Sequence, residues 1–224
     1  MSIKLCIFDM DGLIFDTEKE YINQAIIFVE KHNINITEEQ MHSVIGTSNE
    51  SCVKFYKSHF PNLDFHFIFK CIEEEIMRLS DLKKIGVKKG VRELLNYLVK
   101  ENIAIALASS SPRHKILKLL KNENLDDYFE YIISGEEVKE SKPNPEIFTK
   151  VINHFKYDPK ECIILEDSYN GIRAAAAAKA NPIMIPDLLM PTDETNELCF
   201  KTLNNLVEVI GVIEEIKNGE HNII

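Results

Sequence analysis

The chain has 224 residues, 45% of them apolar, which is enough for one large domain or for a domain with a smaller insert. Its net charge of −10 and the absence of a basic block argue against a nucleic-acid or membrane partner, and no stretch has the length of a membrane span or the pattern of a signal peptide. The five cysteines are scattered without C-x-x-C spacing, which favours a reduced, cytoplasmic protein without a zinc cluster.

The first predicted element is a short strand that ends in two aspartates. An apolar run after Lys4 stops at Asp9, Asp11 and Gly12. Alternate side chains of a strand point the same way, so both carboxylates are expected at the carboxyl edge of a sheet, where open α/β sheets bind ligands. Two carboxylates in an apolar setting are costly unless they share a cation or a proton. The alternative is a plain strand end followed by an Asp-Gly turn.

Residues 17–82 show helical patterns and no convincing strand. Two capping boxes, each a threonine with Glu or Gln three residues later, predict helix starts at Thr17 and Thr37. Apolar residues at helical spacing predict further helices over about 49–58 and 65–80. The sequence therefore predicts an all-helical insert, or cap, over residues 17–82 within a core of residues 1–16 and 83–224.

Short apolar strands alternate with helices in the rest of the chain. Strands are expected over residues 103–108, 131–133, 162–165 and 183–185, with a helix before or after each. Fully apolar strands alternating with helices indicate an α/β fold, with a parallel sheet covered by helices on both faces. An alanine run, residues 174–178, is expected to let one helix approach the sheet closely.

Polar residues follow two of these strands, and a lysine lies in a loop between them. Ser109 comes after the second strand, and Glu166 and Asp167 follow the strand over 162–165, while Lys142 lies in a loop before a helix. Each has a structural alternative: a serine can cap a helix, acids favour a helix start, and a loop lysine is usually exposed. Strand ends of a parallel sheet share one edge, however, and this convergence favours a common site.

The chemistry that this set supports is phosphoryl transfer. Carboxylates and a backbone carbonyl are the hard oxygen ligands that suit Mg²⁺, which neutralises the charge of an arriving phosphate. The hydroxyl of Ser109 and backbone N–H groups at a helix start can hold phosphate oxygens, and Lys142 adds a point charge. One aspartate is then left to attack phosphorus and the other to carry a proton.

Four motifs of the chain resemble those of the haloacid dehalogenase superfamily, most closely its β-phosphoglucomutase-like phosphatases. They are Phe8-Asp-Met-Asp-Gly12, Ser109 after an apolar strand, Lys142 in Lys-Pro-x-Pro, and Leu165-Glu-Asp-Ser168. The motifs span nearly the whole chain in order. The resemblance implies a Rossmann-like core with a four-helix cap inserted after the first strand, which fits residues 17–82.

The resemblance also implies a role for each motif residue. Asp9 would be the nucleophile that becomes an aspartyl-phosphate, and Asp11 the general acid and base. The other implied roles are Mg²⁺ binding by Asp9, the backbone carbonyl of Asp11, Glu166 (directly or through water) and Asp167, phosphate binding by Ser109, Ser110 and Lys142, and support of the site by Ser168 and Asn170.

Within the superfamily, the second aspartate favours rapid phosphate turnover, because dehalogenases lack it and ion pumps carry Thr there. Hexose-phosphate mutases carry a His in the first cap helix and an Arg in the cap turn. Here the first position shows Tyr21, and the turn over residues 46–50 holds no arginine. We therefore expect hydrolysis of a small phosphate monoester, with a β-phosphoglucomutase-type hexose-phosphate mutase as the alternative.

A non-enzyme alternative is a receiver-like phospho-acceptor or a phosphate- and Mg²⁺-binding protein. Receiver domains are about half this length, have no helical insert and need no second aspartate. The predicted cap lining of Thr47, Ser48 and Asn49 is polar, which suits a sugar or other polyol phosphate as the small phosphorylated partner. A monomer is the default expectation.

Overall fold

The fold is built on one sheet of parallel strands. The computed structural model describes residues 2–42 and 49–219, and the strands within them are β1 (Leu5–Phe8), β2 (Ala104–Ser109), β3 (Tyr131–Ser134), β4 (Cys162–Glu166), β5 (Asn181–Met184) and β6 (Lys201–Thr202). Their order across the sheet is β3-β2-β1-β4-β5-β6, and every neighbouring pair is parallel. The predicted α/β fold with a parallel sheet is confirmed.

Helices fill the connections between the strands. Four of them lie in the described part of residues 17–82, namely α1 (Thr17–Lys31), α2 (Glu38–His42), α3 (Asn49–His59) and α4 (Phe65–Asp81). The others are α5 (Val91–Lys100), α6 (Arg113–Asn122), α7 (Glu146–Phe155), α8 (Tyr169–Ala177), α9 (Asp193–Leu198) and α10 (Val207–Lys217).

Both faces of the sheet are buried, as a parallel sheet requires. Side chains of β1 alternate between two apolar clusters, with Cys6 and Phe8 on one face and Leu5 and Ile7 on the other. Residues of α5, α6 and α10 cover the first face, whereas α7 and α8 cover the second. This double cover fixes the strand register and aligns the strand ends at one edge.

The segment between β1 and β2 is helical, as predicted. Helix α4 carries an apolar stripe with Ile68, Ile72 and Ile76, and it packs against α1. In the described part of residues 17–82 no strand occurs. Whether residues 17–82 act as a separate cap domain stays a prediction.

Across the described ranges, no helix has the combined length and apolar character that crossing a bilayer demands.

Of the two predicted capping boxes, one is wrong and one is confirmed, and the structure adds two short elements. The capping box at Thr17 is wrong, because Asp16 precedes the helix without a side-chain cap and the Thr17 hydroxyl donates to Asp11 instead. The box at Thr37 is confirmed by reciprocal hydrogen bonds with Gln40. The sequence prediction also omits α9 and β6, which are too short to produce a periodic signal.

Helix α8 lies unusually close to the sheet. Ala174, Ala175 and Ala178 of the alanine run are buried, as expected for close packing. The first turn of α8 approaches the end of β4 at Gly171. A Cβ added to Gly171 would lie 1.9 Å from the carboxyl carbon of Glu166. Only a glycine fits at this contact without a shift of the helix or of Glu166.

Replacing Gly171 by alanine should therefore destabilise the fold. Forcing atoms into a packed site costs about 1–3 kcal/mol, which urea unfolding of Gly171→Ala can measure. Gly211→Ala is the matched control, because Gly211 lies in α10 and a Cβ there meets no atom within 4 Å. Removing that glycine should leave the free energy of unfolding unchanged or raise it by up to about 1 kcal/mol. An equal decrease in the free energy of unfolding of the two variants would contradict the close approach of α8 to Glu166.

Candidate active site

The central strands bring the predicted residues together. Strand β1 lies between β2 and β4, and all three run in the same direction. Asp9, Ser109 and Glu166 therefore stand at neighbouring positions on the carboxyl edge of the sheet, the edge at which open α/β sheets bind ligands. The backbone N–H of Asp9 donates to the carbonyl of Leu165 at 3.0 Å, which ties the end of β1 to β4.

Lys142 joins the ends of these three strands. Its Nζ lies 2.5 Å from Asp9 Oδ1 and 2.6 Å from Glu166 Oε1, and it donates to the backbone carbonyl of Ala108 at 3.3 Å. The side chain is buried. Burial alone would lower the pKa of Lys142, but the two carboxylates raise it above its usual range. Lys142 is thus a buried ammonium group and not the exposed loop lysine of the structural alternative.

Glu166 is held from both sides. While Oε1 accepts from Lys142, Oε2 accepts from the backbone N–H groups of Asp167 and Ser168, both at 3.2 Å, and from the Ser168 hydroxyl at 3.0 Å. Ser168 Oγ also accepts from the N–H of Gly171 and so caps α8. The glutamate is fully buried and serves as the structural link between Lys142 and the start of α8.

Three carboxylates form an acidic triangle, defined here as Asp9, Glu166 and Asp167. One carboxylate oxygen of each lies within 4.8 Å of the others, and all three residues are buried. Burial, opposed by Lys142, raises the pKa of Asp9 to about 7, and burial together with Glu18 and Glu166 raises that of Asp167 well above its usual range. The donor set of hard oxygens with uncompensated negative charge fits a divalent cation such as Mg²⁺.

Asp11 has different neighbours. Its Oδ1 accepts from the Thr17 hydroxyl at 2.6 Å and from Lys115 Nζ at 2.9 Å, and its Oδ2 accepts from the hydroxyls of Ser111 at 2.7 Å and Ser109 at 3.4 Å. Burial alone would raise the pKa of Asp11, but Lys115 and these hydrogen bonds lower it below its usual value. The two aspartates of the opening motif therefore occupy electrostatically distinct environments.

Sequence reasoning missed Thr17, Ser111 and Lys115 as partners of Asp11. The sequence pattern predicts a helix cap at Thr17 and indicates no role for Ser111 or Lys115. The spacing of Ser111 and Lys115 carried a weak signal, because residues four apart can meet on one side of a helix start. Their side chains do meet, with Lys115 Nζ donating to Ser111 Oγ at 2.9 Å.

The predicted phosphate ligands differ in burial and in their hydrogen-bond partners. Ser109 is buried, and its Oγ accepts from the N–H of Ser111 at 3.0 Å while donating to Asp11. Ser110 is exposed and lines the cavity above the acidic triangle, together with Lys142. Asn170, expected to support the site, also lines this cavity. Ser110 and Lys142 thus line one cavity with Asp9 and Asp11, whereas Ser109 is buried and hydrogen-bonded to Asp11.

This cavity has a volume of about 510 Å³ and lies between the sheet edge and the helices of the insert. The described helical wall is mostly apolar, with Ile22, Tyr56 and Phe69, but it also holds Tyr21 and Glu18. The predicted polar lining is not described here: Thr47 and Ser48 lie outside the described residues, and Asn49 is described only as the first residue of α3.

Known proteins are similar to this chain in sequence. The family model described as haloacid dehalogenase-like hydrolase matches residues 6–185. The phosphorylated carbohydrates phosphatase of Thermotoga maritima is 32% identical over 174 residues, which cover 77% of this chain and 80% of that protein. Hexitol phosphatase B of Escherichia coli strain K12 is 28% identical over 211 residues, which cover 93% of this chain and 95% of that protein.

Solved structures share the fold as well. The crystal structure of a candidate β-phosphoglucomutase from Thermotoga maritima matches with a TM-score of 0.78 and 27% identity, covering 96% of this chain and 100% of that one. The similarity inferred from the four motifs is thereby confirmed. Since the family model spans most of the sequence and a relative exceeds 30% identity, the chain belongs to the haloacid dehalogenase-like hydrolase family.

Proposed function

We propose that this phosphoric monoester hydrolase is a Mg²⁺-dependent phosphatase that acts on a small sugar or polyol phosphate through an aspartyl-phosphate on Asp9. The observation that carries the proposal is the convergence of Asp9, Lys142 and the acidic triangle beside Asp11 at one sheet edge. That arrangement supplies a nucleophile, a proton carrier and a site for positive charge within one cavity.

The proposed metal ligands are Asp9 and Asp167, with the backbone carbonyl of Asp11 and with Glu166 directly or through water. When bound, Mg²⁺ would neutralise charge on the phosphate of the substrate. Both oxygens of Glu166 already accept protein hydrogen bonds. This favours contact between Glu166 and the ion through water, since a direct bond would compete with Lys142 or Ser168.

In the proposed reaction, the carboxylate of Asp9 attacks phosphorus, and the bond from phosphorus to the leaving oxygen breaks. Asp11 donates a proton to that oxygen, and the alcohol leaves. Asp11 then takes a proton from water, which attacks the phosphorus, so that inorganic phosphate departs and the Asp9 carboxylate is restored. Ser109, Ser110 and Lys142 would hold the phosphate oxygens through both halves.

The proposed substrate class rests on two supports. The names of the Thermotoga maritima and Escherichia coli relatives specify phosphorylated carbohydrates and hexitols, respectively. The tyrosine hydroxyls and Glu18 in the cavity wall can also accept hydrogen bonds from a polyol.

All five cysteines lie in described segments and none forms a disulfide. A cytoplasmic location and a monomeric state stay predictions.

The purified protein should release inorganic phosphate from p-nitrophenyl phosphate in the presence of Mg²⁺, and EDTA should stop the release. Asp9→Asn removes the nucleophile, so the rate should fall by more than about a thousandfold. Circular dichroism should show that this variant stays folded. Asp127→Asn, at an exposed position in the short turn before β3, is the control and should keep its activity. Full activity of Asp9→Asn would exclude the covalent mechanism, and binding of phosphate without turnover would favour the non-enzyme alternative.

Product analysis separates the hydrolase from the mutase. With β-glucose 1-phosphate as substrate, we expect glucose and inorganic phosphate, because the sequence offers no arginine in the cap turn for a second phosphate. Nuclear magnetic resonance of phosphorus in the reaction mixture distinguishes the products directly. Formation of glucose 6-phosphate in place of inorganic phosphate would overturn the proposed hydrolysis.

A further inference from the structure

Lys115 is a buried lysine that the reaction described above does not use. It is the third residue of α6 and is 8% exposed. Its ammonium group lies 2.9 Å from Asp11 Oδ1 and 2.9 Å from Ser111 Oγ. Lysine is almost never fully buried unless it is paired, since an unpaired buried charge is costly. The ion pair with Asp11 therefore explains how Lys115 can be buried, and we looked for its role in the function of Asp11.

The donors around Asp11 divide unequally between its two oxygens. Oδ1 is held by two short contacts, from Thr17 at 2.6 Å and Lys115 at 2.9 Å. Oδ2 has one short contact, from Ser111 at 2.7 Å, and one long contact, from Ser109 at 3.4 Å. In the proposed function Ser109 binds phosphate, so its hydroxyl would turn from Asp11 to the phosphate. Oδ2 would then have room to accept a proton while Oδ1 stays anchored.

The direction of these hydrogen bonds indicates in which half of the reaction they act. An ammonium group can only donate hydrogen bonds, and an ionised carboxylate can only accept them. All four contacts are donated to Asp11, two to each of its oxygens, which is the arrangement of an ionised carboxylate that is ready to receive a proton. Asp11 receives its proton when water attacks the phosphorylated nucleophile.

We propose that Lys115 is a positioning residue for Asp11 during hydrolysis of the aspartyl-phosphate, an inference that rests on the proposed function. In this half, the oxygen of water bonds to phosphorus and one water proton passes to Asp11 Oδ2. The bond between phosphorus and the Asp9 oxygen breaks, which releases inorganic phosphate and restores the Asp9 carboxylate. Lys115 and Thr17 prevent rotation of the Asp11 carboxylate by holding Oδ1.

The test is the variant Lys115→Met, which removes the ammonium group and keeps a side chain of similar length. Because hydrolysis of the phosphorylated enzyme is common to all substrates, kcat should fall by about 10-fold to 100-fold for each of them, a share of what acid–base catalysis supplies. The value of kcat/KM covers only the steps up to loss of the leaving group and should change by less than about threefold, so KM falls with kcat. Acid quenching with ³²P-labelled substrate should show phosphorylated enzyme accumulating.

Two variants on the same helix serve as controls. Lys121→Met removes an exposed lysine of α6 and should alter neither kcat nor the level of phosphorylated enzyme. Lys115→Arg keeps a cationic donor and should recover part of kcat. If Lys115→Met does not fold, Lys115→Gln fills the same space without the charge and should show the same separation of kcat from kcat/KM.

A purely structural role would lower kcat and kcat/KM together, without accumulation of phosphorylated enzyme, and that result would overturn the role of Lys115. Unchanged kinetics would overturn it as well. Failure of the proposed function looks different: the wild-type protein would then release no phosphate, or labelling would persist in Asp9→Asn. Either of those results would overturn the covalent scheme, and this inference with it.

Discussion

The site depends on the buried contacts of Lys142 with Asp9 and Glu166. A buried ion pair is stable only when its geometry and its additional hydrogen bonds offset the loss of solvation. Lys142 meets this condition, because it contacts two carboxylates at 2.5 and 2.6 Å while Glu166 accepts three further hydrogen bonds. The same contacts connect β1 and β4 with the loop before α7. One lysine therefore orients the proposed nucleophile and fixes the strand ends around it.

The structure gives each aspartate of the first motif its own lysine. Lys142 contacts Asp9 from the loop before α7, and Lys115 contacts Asp11 from α6. Their surroundings shift the two pKa values in opposite directions: burial raises that of Asp9, whereas Lys115 and several hydroxyls lower that of Asp11. Divergent pKa values of neighbouring acids are typical of sites in which the acids have different tasks. A divalent cation at the acidic triangle would offset the effect of burial on Asp9.

The sequence alone was sufficient to predict that the polar residues at the ends of strands lie together at one edge of the sheet. Asp9, Ser109 and Glu166 could be placed at one edge because the geometry of a parallel sheet alone brings strand ends together. The partners of Asp11 could not be found in this way, since the contacts of Thr17 and Lys115 depend on how far side chains reach from α1 and α6. The same limit applies to β6, whose two residues are recognisable as a strand only from their pairing with β5.

The two walls of the cavity come from different elements of the fold. The sheet edge holds the carboxylates and Lys142, whereas the helices between β1 and β2 form the opposite wall of the cavity. Among the described residues, that wall contributes the acidic side chains of Glu18 and Glu73 and no lysine, arginine or histidine. Burial, together with the nearby Asp11 and Asp9, raises the pKa of Glu18 to about 8. A leaving group that carried a second phosphate would meet no cationic side chain on the described part of this wall, whereas an uncharged polyol could donate hydrogen bonds to its tyrosine hydroxyls and to Glu18. The described lining of this wall is thus in agreement with the proposed hydrolysis of a polyol phosphate.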